Sequence, residues 1–444
     1  MEKVATQSAN FPISAEPPQT ASFGIVGGGL GALVTYVLLR FRGVSVEDIL
    51  IFSPDSSPEQ SWSWLARSIG LKTLRSESVG HIFPTDSPGL ATLEAIHQKS
   101  LWPIFKSWFN AYRPTVEVFI EHVRSIAGQT GFYRSMMHVT VGNIVRDGDR
   151  FLILDSENKV VARVRHVFLA VGHGKKNIPK PIADFRNQYG DDDRVVMAFE
   201  EKVYAPETVL VVGDGITAAT EWEHVLHAGG AVAALSRDVF GQPLNAPLRY
   251  FSARGLKPFW QQAENQRVAE LKTATRGTVP SYMSWRMKFK ESTKSGRLGM
   301  AQGNLVAIYP HESGQLACMI QFVGTQQVEM VLVDRVIVAT GFMPAITHPL
   351  LEKLIVTHDL PVVDGFLVLD DDCCISQLSQ PGSILAVVGQ AAVWAVPSAD
   401  SLVGMKLAAR RAIKHMLGPE DTSWKGFWFN LGRQWQLVVG KELV

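Results

Sequence analysis

The chain has 444 residues, a formal net charge of +1 and 46% hydrophobic residues. Its length exceeds one ordinary hydrophobic core and points to two or three domains. The near-balanced charge excludes a nucleic-acid binder with a basic face, and the apolar fraction excludes a disordered chain.

Met1 to Thr20 mixes Ser, Pro, Gln and Glu without an apolar stretch, so it reads as a flexible tail and not a signal peptide, and a cytoplasmic location is expected. No window reaches the ~20 apolar residues of a membrane span. The three cysteines, Cys318, Cys373 and Cys374, fit a reducing compartment and form no Cys-x-x-Cys pair. Metal-spaced His/Cys clusters, a Gly-x-Ser-x-Gly turn and a phosphate loop ending in Gly-Lys-Ser/Thr are not found, so no metal is expected.

The first informative element is the apolar run Phe23 to Val26, which leads into Gly27-Gly28-Gly29-Leu30-Gly31-Ala32 and a helix-like Leu33 to Arg40. Strand, tight turn and helix in this order suit a dinucleotide. Gly27 makes the turn, Gly29 lets backbone approach a pyrophosphate, and Ala32, beside Gly31, allows close helix–strand packing. Ile49 to Phe52 is the second strand, and Ser53 or Asp55 stands where an acidic residue usually meets the ribose.

Ser61 to Thr85 then gathers ionisable groups beside glycine and aromatic residues. Arg75, Glu77 and His81 are its candidate catalytic residues, the bland alternative being an exposed loop in which Arg75 and Glu77 pair and His81 is structural. Trp102, Phe105, Trp108 and Phe109 fall at helical spacing and read as core. His138 to Leu154 reads as a hairpin turning at Arg146 to Asp149. Val164 to Val171 follows as a buried strand that ends at Gly172.

The strand-turn-helix grammar recurs at Val209 to Val212, Gly213-Asp214-Gly215-Ile216-Thr217-Ala218 and the helix behind it. Its second strand, Ala231 to Leu235, ends near Arg237, which would receive a ribose 2′-phosphate and favours NADPH, with Asp238 beside it as an opposing charge. Arg249, in the next loop, is a further candidate to face the nicotinamide or substrate, a structural role being the commoner reading. Val336 to Ala339 is another strand ending in a glycine, Gly341. Late in the chain Ile384 to Val388 ends at Gly389-Gln390, and Ser398 precedes a last helical stretch. The aromatic tail from Trp424 to Trp435 suits packing within the subunit, a dimer contact or a membrane surface, of which the first is commonest.

Two GxGxx(G/A) turns, each followed by further strands and an ATG-like strand, resemble the two-dinucleotide-domain flavoproteins; Val336 to Pro344 is the most specific piece. These include class B flavin monooxygenases, N-hydroxylating monooxygenases and pyridine-nucleotide disulfide reductases. The resemblance covers Phe23 to about Leu417. It implies an α/β fold: after a tail at 1–20, a Rossmann-like three-layer FAD domain at 21–195 and 335–444 carries an inserted Rossmann-like NAD(P)H domain at 196–334. It also implies FAD and NADPH as cofactors, held by Gly27, Gly29, Gly31, Ala32, Ser53, Asp55, Gly172, Gly213, Gly215, Ile216, Thr217, Arg237, Gly341, Gly389, Gln390 and Ser398. In relatives the segment with Arg75, Glu77 and His81 runs along the flavin toward substrate.

Two departures bear on the chemistry. Gln390 stands where relatives carry an aspartate, and the Phe-x-Gly-x-x-x-His fingerprint of two monooxygenase subgroups is missing from Val195 to Tyr204, with Met197 near the place of the histidine. N-hydroxylating relatives do not depend on that fingerprint. The implied function is an FAD-dependent NADPH oxidoreductase that oxygenates a small molecule with molecular oxygen through a flavin hydroperoxide. The alternatives are an NAD(P)H-dependent flavin reductase or diaphorase serving a quinone or protein carrier, and a catalytically weak FAD/NADPH-binding sensor. Disulfide reduction is disfavoured, because a bond between the adjacent Cys373 and Cys374 would be strained. No nucleic-acid partner is expected, and a homodimer is left open.

Overall fold

The structure, a computed structural model, describes residues 19–109, 111–237, 248–273, 285–421 and 423–443. The proposed N-terminal tail thus lies outside the described residues up to position 18, and the first strand starts at Gln19.

The first βαβ unit is β1 (Gln19–Val26), α1 (Leu30–Phe41) and β2 (Ile49–Ser53), followed by α2 (Gln60–Ser68), α3 (Leu90–Gln98), α4 (Trp102–Trp108) and α5 (Val116–Thr130). Four strands come next, β3 (Met136–His138), β4 (Val141–Asp147), β5 (Arg150–Asp155) and β6 (Val160–Leu169). Then α6 (Lys180–Tyr189) and β7 (Val195–Met197) lead to the second βαβ unit, β8 (Thr208–Val212), α7 (Ile216–His227) and β9 (Ala231–Ser236). Helices α8 (Ala253–Trp260), α9 (Glu264–Thr273) and α10 (Trp285–Lys294) precede β10 (Leu298–Pro310), β11 (Leu316–Phe322), β12 (Val328–Val333) and β13 (Arg335–Val338). The chain closes with α11 (Pro349–His358), β14 (Val362–Val363), β15 (Phe366–Leu367), β16 (Leu385–Val387), α12 (Leu402–Leu417) and α13 (Trp424–Val438).

Two seven-stranded sheets result. The first runs β3-β2-β1-β6-β5-β4, with β16 also paired to β6. β4 and β5 form the hairpin read from the Arg146 to Asp149 turn. β1, β2, β3, β6 and β16 pair in parallel, which buries both faces of the sheet under other layers. Along β6, Val167 and Leu169 join the core on one face and Phe168 the core on the other, the period-two alternation of a strand. Helices α1, α5 and α12 cover the Phe168 face, while α8, α9, α11 and residues 391–399 cover the opposite one.

The second sheet runs β12-β11-β10-β9-β8-β13-β7. Val209 and Val211 face Trp222 and α7, whereas Leu210 faces α6 and the meander β10–β12. β13 lies between β8 and β7, with Val336 to Val338 in register with Leu210 to Val212. Strand pairing therefore assigns Val195 and Arg335 to Val338 to the second sheet, whereas the sequence resemblance grouped them with the first domain. The reason is non-local: the strand after β12 returns beside β8, a pairing that no nearby residue announces.

A second difference concerns the aromatic helix α4. Trp102, Phe105, Trp108 and Phe109, expected in the core, are 44–78% exposed. Helical spacing marks an apolar face but not what covers it. The rings meet one another instead, Phe105 lying 5.3 Å from Trp102 and 4.9 Å from Phe109.

Phe168 sits on the central strand with no exposed surface. Truncation to alanine removes a ring from a packed layer, so Phe168→Ala should lower stability by about 3–5 kcal/mol. Urea denaturation checks this, and a loss under 1 kcal/mol would contradict the packing described.

Candidate functional site

Both glycine turns are built to one plan. Gly27 receives its chain from β1 with φ of +104°, and a Cβ there would lie 2.2 Å from the carbonyl oxygen of Ala170, just beyond β6. Gly213 has φ of +132° and a Cβ would lie 2.4 Å from the carbonyl of Ala339, just beyond β13. Only glycine accepts that backbone and that contact. The hydrogen bonds also match: Gly27 donates to Phe52 at 2.9 Å and Gly213 to Leu235 at 2.8 Å.

At the N-cap of α1, Gly29 offers no side-chain acceptor, and Gly215 leaves α7 in the same state. Neither helix has an acidic residue in its first turn. A helix start without a side-chain cap keeps N–H groups and partial positive charge for another acceptor, and an anion such as a diphosphate suits them. A Cβ on Gly29 or Gly215 would meet nothing within 4 Å, so open space lies over each turn. The same is true at Gly172, Gly341 and Gly389. Gly31 and Ala32 are buried in α1, Gly31 near Ala170, Val388 and Met405, where small size serves packing. Ile216 and Thr217 form the first turn of α7 and are half-buried.

A short chain of contacts joins the two turns. Ala170, against Gly27, leads within three residues to His173, and Ala339, against Gly213, leads within three to Phe342. The His173 and Phe342 rings stack, with centroids 4.6 Å apart and planes 11° apart. His173 Nδ1 lies 2.9 Å from Gln390 Oε1, at the end of β16. Asn177 ties the same crossing, its backbone N–H donating to Gly341 at 3.0 Å and its side chain to Thr340 at 3.3 Å. The glycine ends of three strands, two in one sheet and one in the other, are thereby brought to one place. His173 and Phe342 were missed from sequence, although each directly follows a strand-end glycine.

Other expected site residues are placed less favourably. Ser53 is buried with its hydroxyl accepting from Asp55 N–H at 3.1 Å, and a Cβ on Gly28 would press on it at 2.4 Å. Asp55 is half-buried and accepts from Ser61 at 2.5 Å. Ser398 is buried and donates to the Tyr250 carbonyl at 2.6 Å, while Ser401 caps α12 by accepting from Gly404. In the second unit, Ser236 donates to Asp214 at 2.9 Å and Arg237 is exposed at the end of β9. Asp238 and the loop through 247 lie outside the described residues, whereas Arg249 pairs with Glu270. Met197 is a buried residue of β7, and its N–H donates to Glu200.

Arg75, Glu77 and His81 do not form one constellation. Glu77 is exposed and faces Arg113 at 3.8 Å, and Arg75 is half-buried on the same loop. His81 turns inward, with no exposed surface and its ring against Phe83 and His122. Its Nε2 lies 3.3 Å from the Asp86 carbonyl, and Lys406 of α12, also buried, reaches the Asp86 carboxylate at 3.3 Å. The concavity of about 540 Å³ between α2 and α5, lined by Arg67, Glu117 and Arg124, shares no residue with the two glycine turns.

No protein-family model matches the sequence, and no curated protein matches it. Solved structures do. The chain is similar to the reduced form of ornithine hydroxylase PvdA from Pseudomonas aeruginosa, with 15% identity and a TM-score of 0.67 over 89% of this chain and 98% of that one. It is similar to FAD-bound DfoA, a cadaverine monooxygenase of Erwinia amylovora, with 13% identity and a TM-score of 0.70 over 90% and 94%. Bacillithiol disulfide reductase Bdr of Staphylococcus aureus also matches, with 14% identity and a TM-score of 0.59 over 90% and 98%. At these identities the likeness establishes a shared two-domain α/β fold.

The buried imidazoles set a pH dependence. Burial, with the charge of Lys406, lowers His81 to about 4, and burial with His81 and Lys406 lowers His122 to about 3. His122 Nε2 accepts the Ile82 N–H at 3.1 Å, which requires the neutral ring. An unfolded chain protonates these rings near 6.5, so their contribution to stability is intact above that pH and is lost on acidification toward 4. The urea midpoint should hold from pH 8 to 7 and then fall, His81 alone contributing roughly 3 kcal/mol by pH 4. His122→Gln keeps an acceptor for Ile82 and should flatten the fall; an identical slope in that variant would contradict the assignment.

Proposed function

We propose that this chain is an FAD-dependent, NADPH-consuming monooxygenase that N-hydroxylates a primary amine of a small molecule. The observation that carries the proposal is the contact chain from Gly27 through Ala170 and His173 to Phe342, Ala339 and Gly213. It sets two anion-ready helix starts on either side of a single crossing, as hydride passage between two dinucleotides requires. The choice of an amine rests on similar structures named for ornithine and cadaverine, each of which carries an aliphatic primary amine.

In this reading α1 and its Gly29 hold the FAD diphosphate, and Asp55, half-open at the end of β2, faces the ribose. α7 and Gly215 hold the NADPH diphosphate, and Arg237 receives the 2′-phosphate. Gly172, Gly341 and Gly389 leave room for the rings, and His173, anchored by Gln390 and Phe342, lines the crossing. When bound, the flavin accepts hydride from NADPH and activates oxygen. Overall, amine, oxygen, NADPH and one proton become hydroxylamine, NADP+ and water. The chain's own task is to position both cofactors and exclude water.

Disulfide exchange, the chemistry named for Bdr, has less support. Cys318, Cys373 and Cys374 are all buried, and burial raises each thiol well above its ordinary value, Cys318 to about 12. A buried, protonated thiol is a poor nucleophile. Among the described residues no helix is long and apolar enough to cross a membrane.

Two pairs of measurements test the proposal. Gly29→Leu should cut bound flavin at least tenfold with little change in thermal midpoint, because the new side chain enters the open space over α1. Gly215→Leu should keep the flavin and raise the KM for NADPH by a similar factor; equal flavin loss in both variants would refute the assignment of cofactors to turns. Wild-type protein supplied with diamines and basic amino acids should convert one of them to a hydroxylamine bearing an atom from labelled oxygen. NADPH oxidation that yields only hydrogen peroxide across that panel would count against an amine substrate.

Arg237→Ala should weaken NADPH about tenfold and leave NADH nearly unchanged, since one charge-assisted phosphate contact is worth ~1.5–3 kcal/mol. Equal weakening of both nucleotides would remove Arg237 from the 2′-phosphate.

A further inference from the structure

Helix α13 is mounted the wrong way round for a helix that packs only within its own subunit. Its outward face carries Trp424, Phe427, Trp428, Leu431 and Trp435, at the i, i+3, i+4, i+7, i+11 spacing of one apolar stripe, all 45–72% exposed. The inward face is largely polar or small: Gly426, Arg433 and Gln434 are buried there, and Leu437 alone among its buried residues is a large apolar side chain. Arg433 donates to the Arg40 carbonyl at the end of α1 at 2.9 Å and lies over the Phe429 ring, and Gln434 donates to Ser87 at 3.2 Å. A Cβ on Gly426 would lie 2.3 Å from the Asp421 carbonyl, so the helix start is closely seated as well. Burying a guanidinium and an amide while leaving four aromatic rings in water runs against the hydrophobic effect unless another surface covers those rings. Specific polar contacts hold the helix in this orientation, so it cannot roll the stripe inward.

We propose that α13 is the seam of a twofold-symmetric dimer, its outward stripe meeting the same stripe of a second copy of this chain. The exposed apolar surface supports this occupant. With ~150–250 Å² for each large aromatic side chain, the stripe and neighbouring Phe429 present roughly 500–800 Å², close to the ~800 Å² per partner of a standard interface. Charge points the same way. From Trp424 to Val438 the helix has no acidic residue, and its cations are Lys425 and the buried Arg433. Two such stripes meet without a row of like charges, whereas an anionic lipid surface is recognised by several exposed basic residues. Trp428 and Leu431, near the middle of the stripe, fall beside the symmetry axis.

The test uses the full chain. Light scattering after size exclusion at micromolar concentration should report twice the 48.9 kDa of one chain. Trp428→Glu with Leu431→Glu should return the single-chain mass, with circular dichroism and thermal midpoint retained. If that pair of changes disturbs folding, Trp428→Gln, a milder exposed change, should still weaken the dimer at least tenfold in sedimentation. Wild-type protein that stays at single-chain mass up to about 100 μM overturns the proposal, as does a dimer that both variants leave intact. Single chains that float with phosphatidylcholine/phosphatidylserine vesicles would overturn it too, by giving the stripe to lipid.

Discussion

The architecture depends on a contact made twice: a glycine at a strand end, pressed against the carbonyl of the strand returning beside it. Gly27 against Ala170 and Gly213 against Ala339 leave no room for a Cβ, and both backbones are in the left-handed half of conformational space. The contact fixes where each following helix begins. Because the next cap position is also glycine, that beginning has no side-chain acceptor. A glycine in place of a capping side chain at a helix start ordinarily costs about a few tenths of a kcal/mol. Both helices tolerate the loss because they are anchored by burial instead: in α1 every residue from Gly31 to Phe41 is buried, and α7 carries the fully buried Trp222. Local rules broken at equivalent places in two otherwise well-packed units mark function more convincingly than either turn alone.

From the same contact follows the meeting of the two sheets. The carbonyl that closes each turn belongs to the segment leaving β6 or β13, so whatever holds those segments together also holds the turns. The His173–Phe342 stack, the Asn177 hydrogen bonds and Gln390 do this with exposed or half-buried groups, while Leu256 and Phe259 of α8 are buried against the first sheet and Ile69, after α2, against the second.

Much of this was legible in the amino-acid order because the informative signals were local. Phe23 to Ala32 and Val209 to Ala218 contain strand, turn and helix start within ten residues, and the Arg146 to Asp149 turn specifies its hairpin just as locally. What stayed hidden depended on distant partners. The membership of β13 is decided by β8, more than a hundred residues earlier. Ser53 and Ser398 looked available, yet Ser53 is buried with its hydroxyl accepting from the Asp55 N–H and Ser398 donates to the Tyr250 carbonyl. His81 and Glu77 are four residues apart, but one turns toward His122 and the other toward Arg113, a divergence that composition cannot express. For α4 and α13, periodicity identified the apolar stripe correctly and said nothing of its direction.

Direction is also where fold and chemistry separate. This arrangement of sheets is shared with structures named as hydroxylases and with one named as a disulfide reductase, so the sheets alone do not choose between them. The side chains do discriminate. A thiol route needs an accessible cysteine of low pKa, and here burial pushes all three the other way. Oxygen insertion asks less of the protein's acids and bases and more of its ability to keep water out, a demand met by packing. The imidazoles of His81, on the loop that follows α2, and of His122 are held neutral by burial. Their removal from solvent argues against this loop as a source of protons.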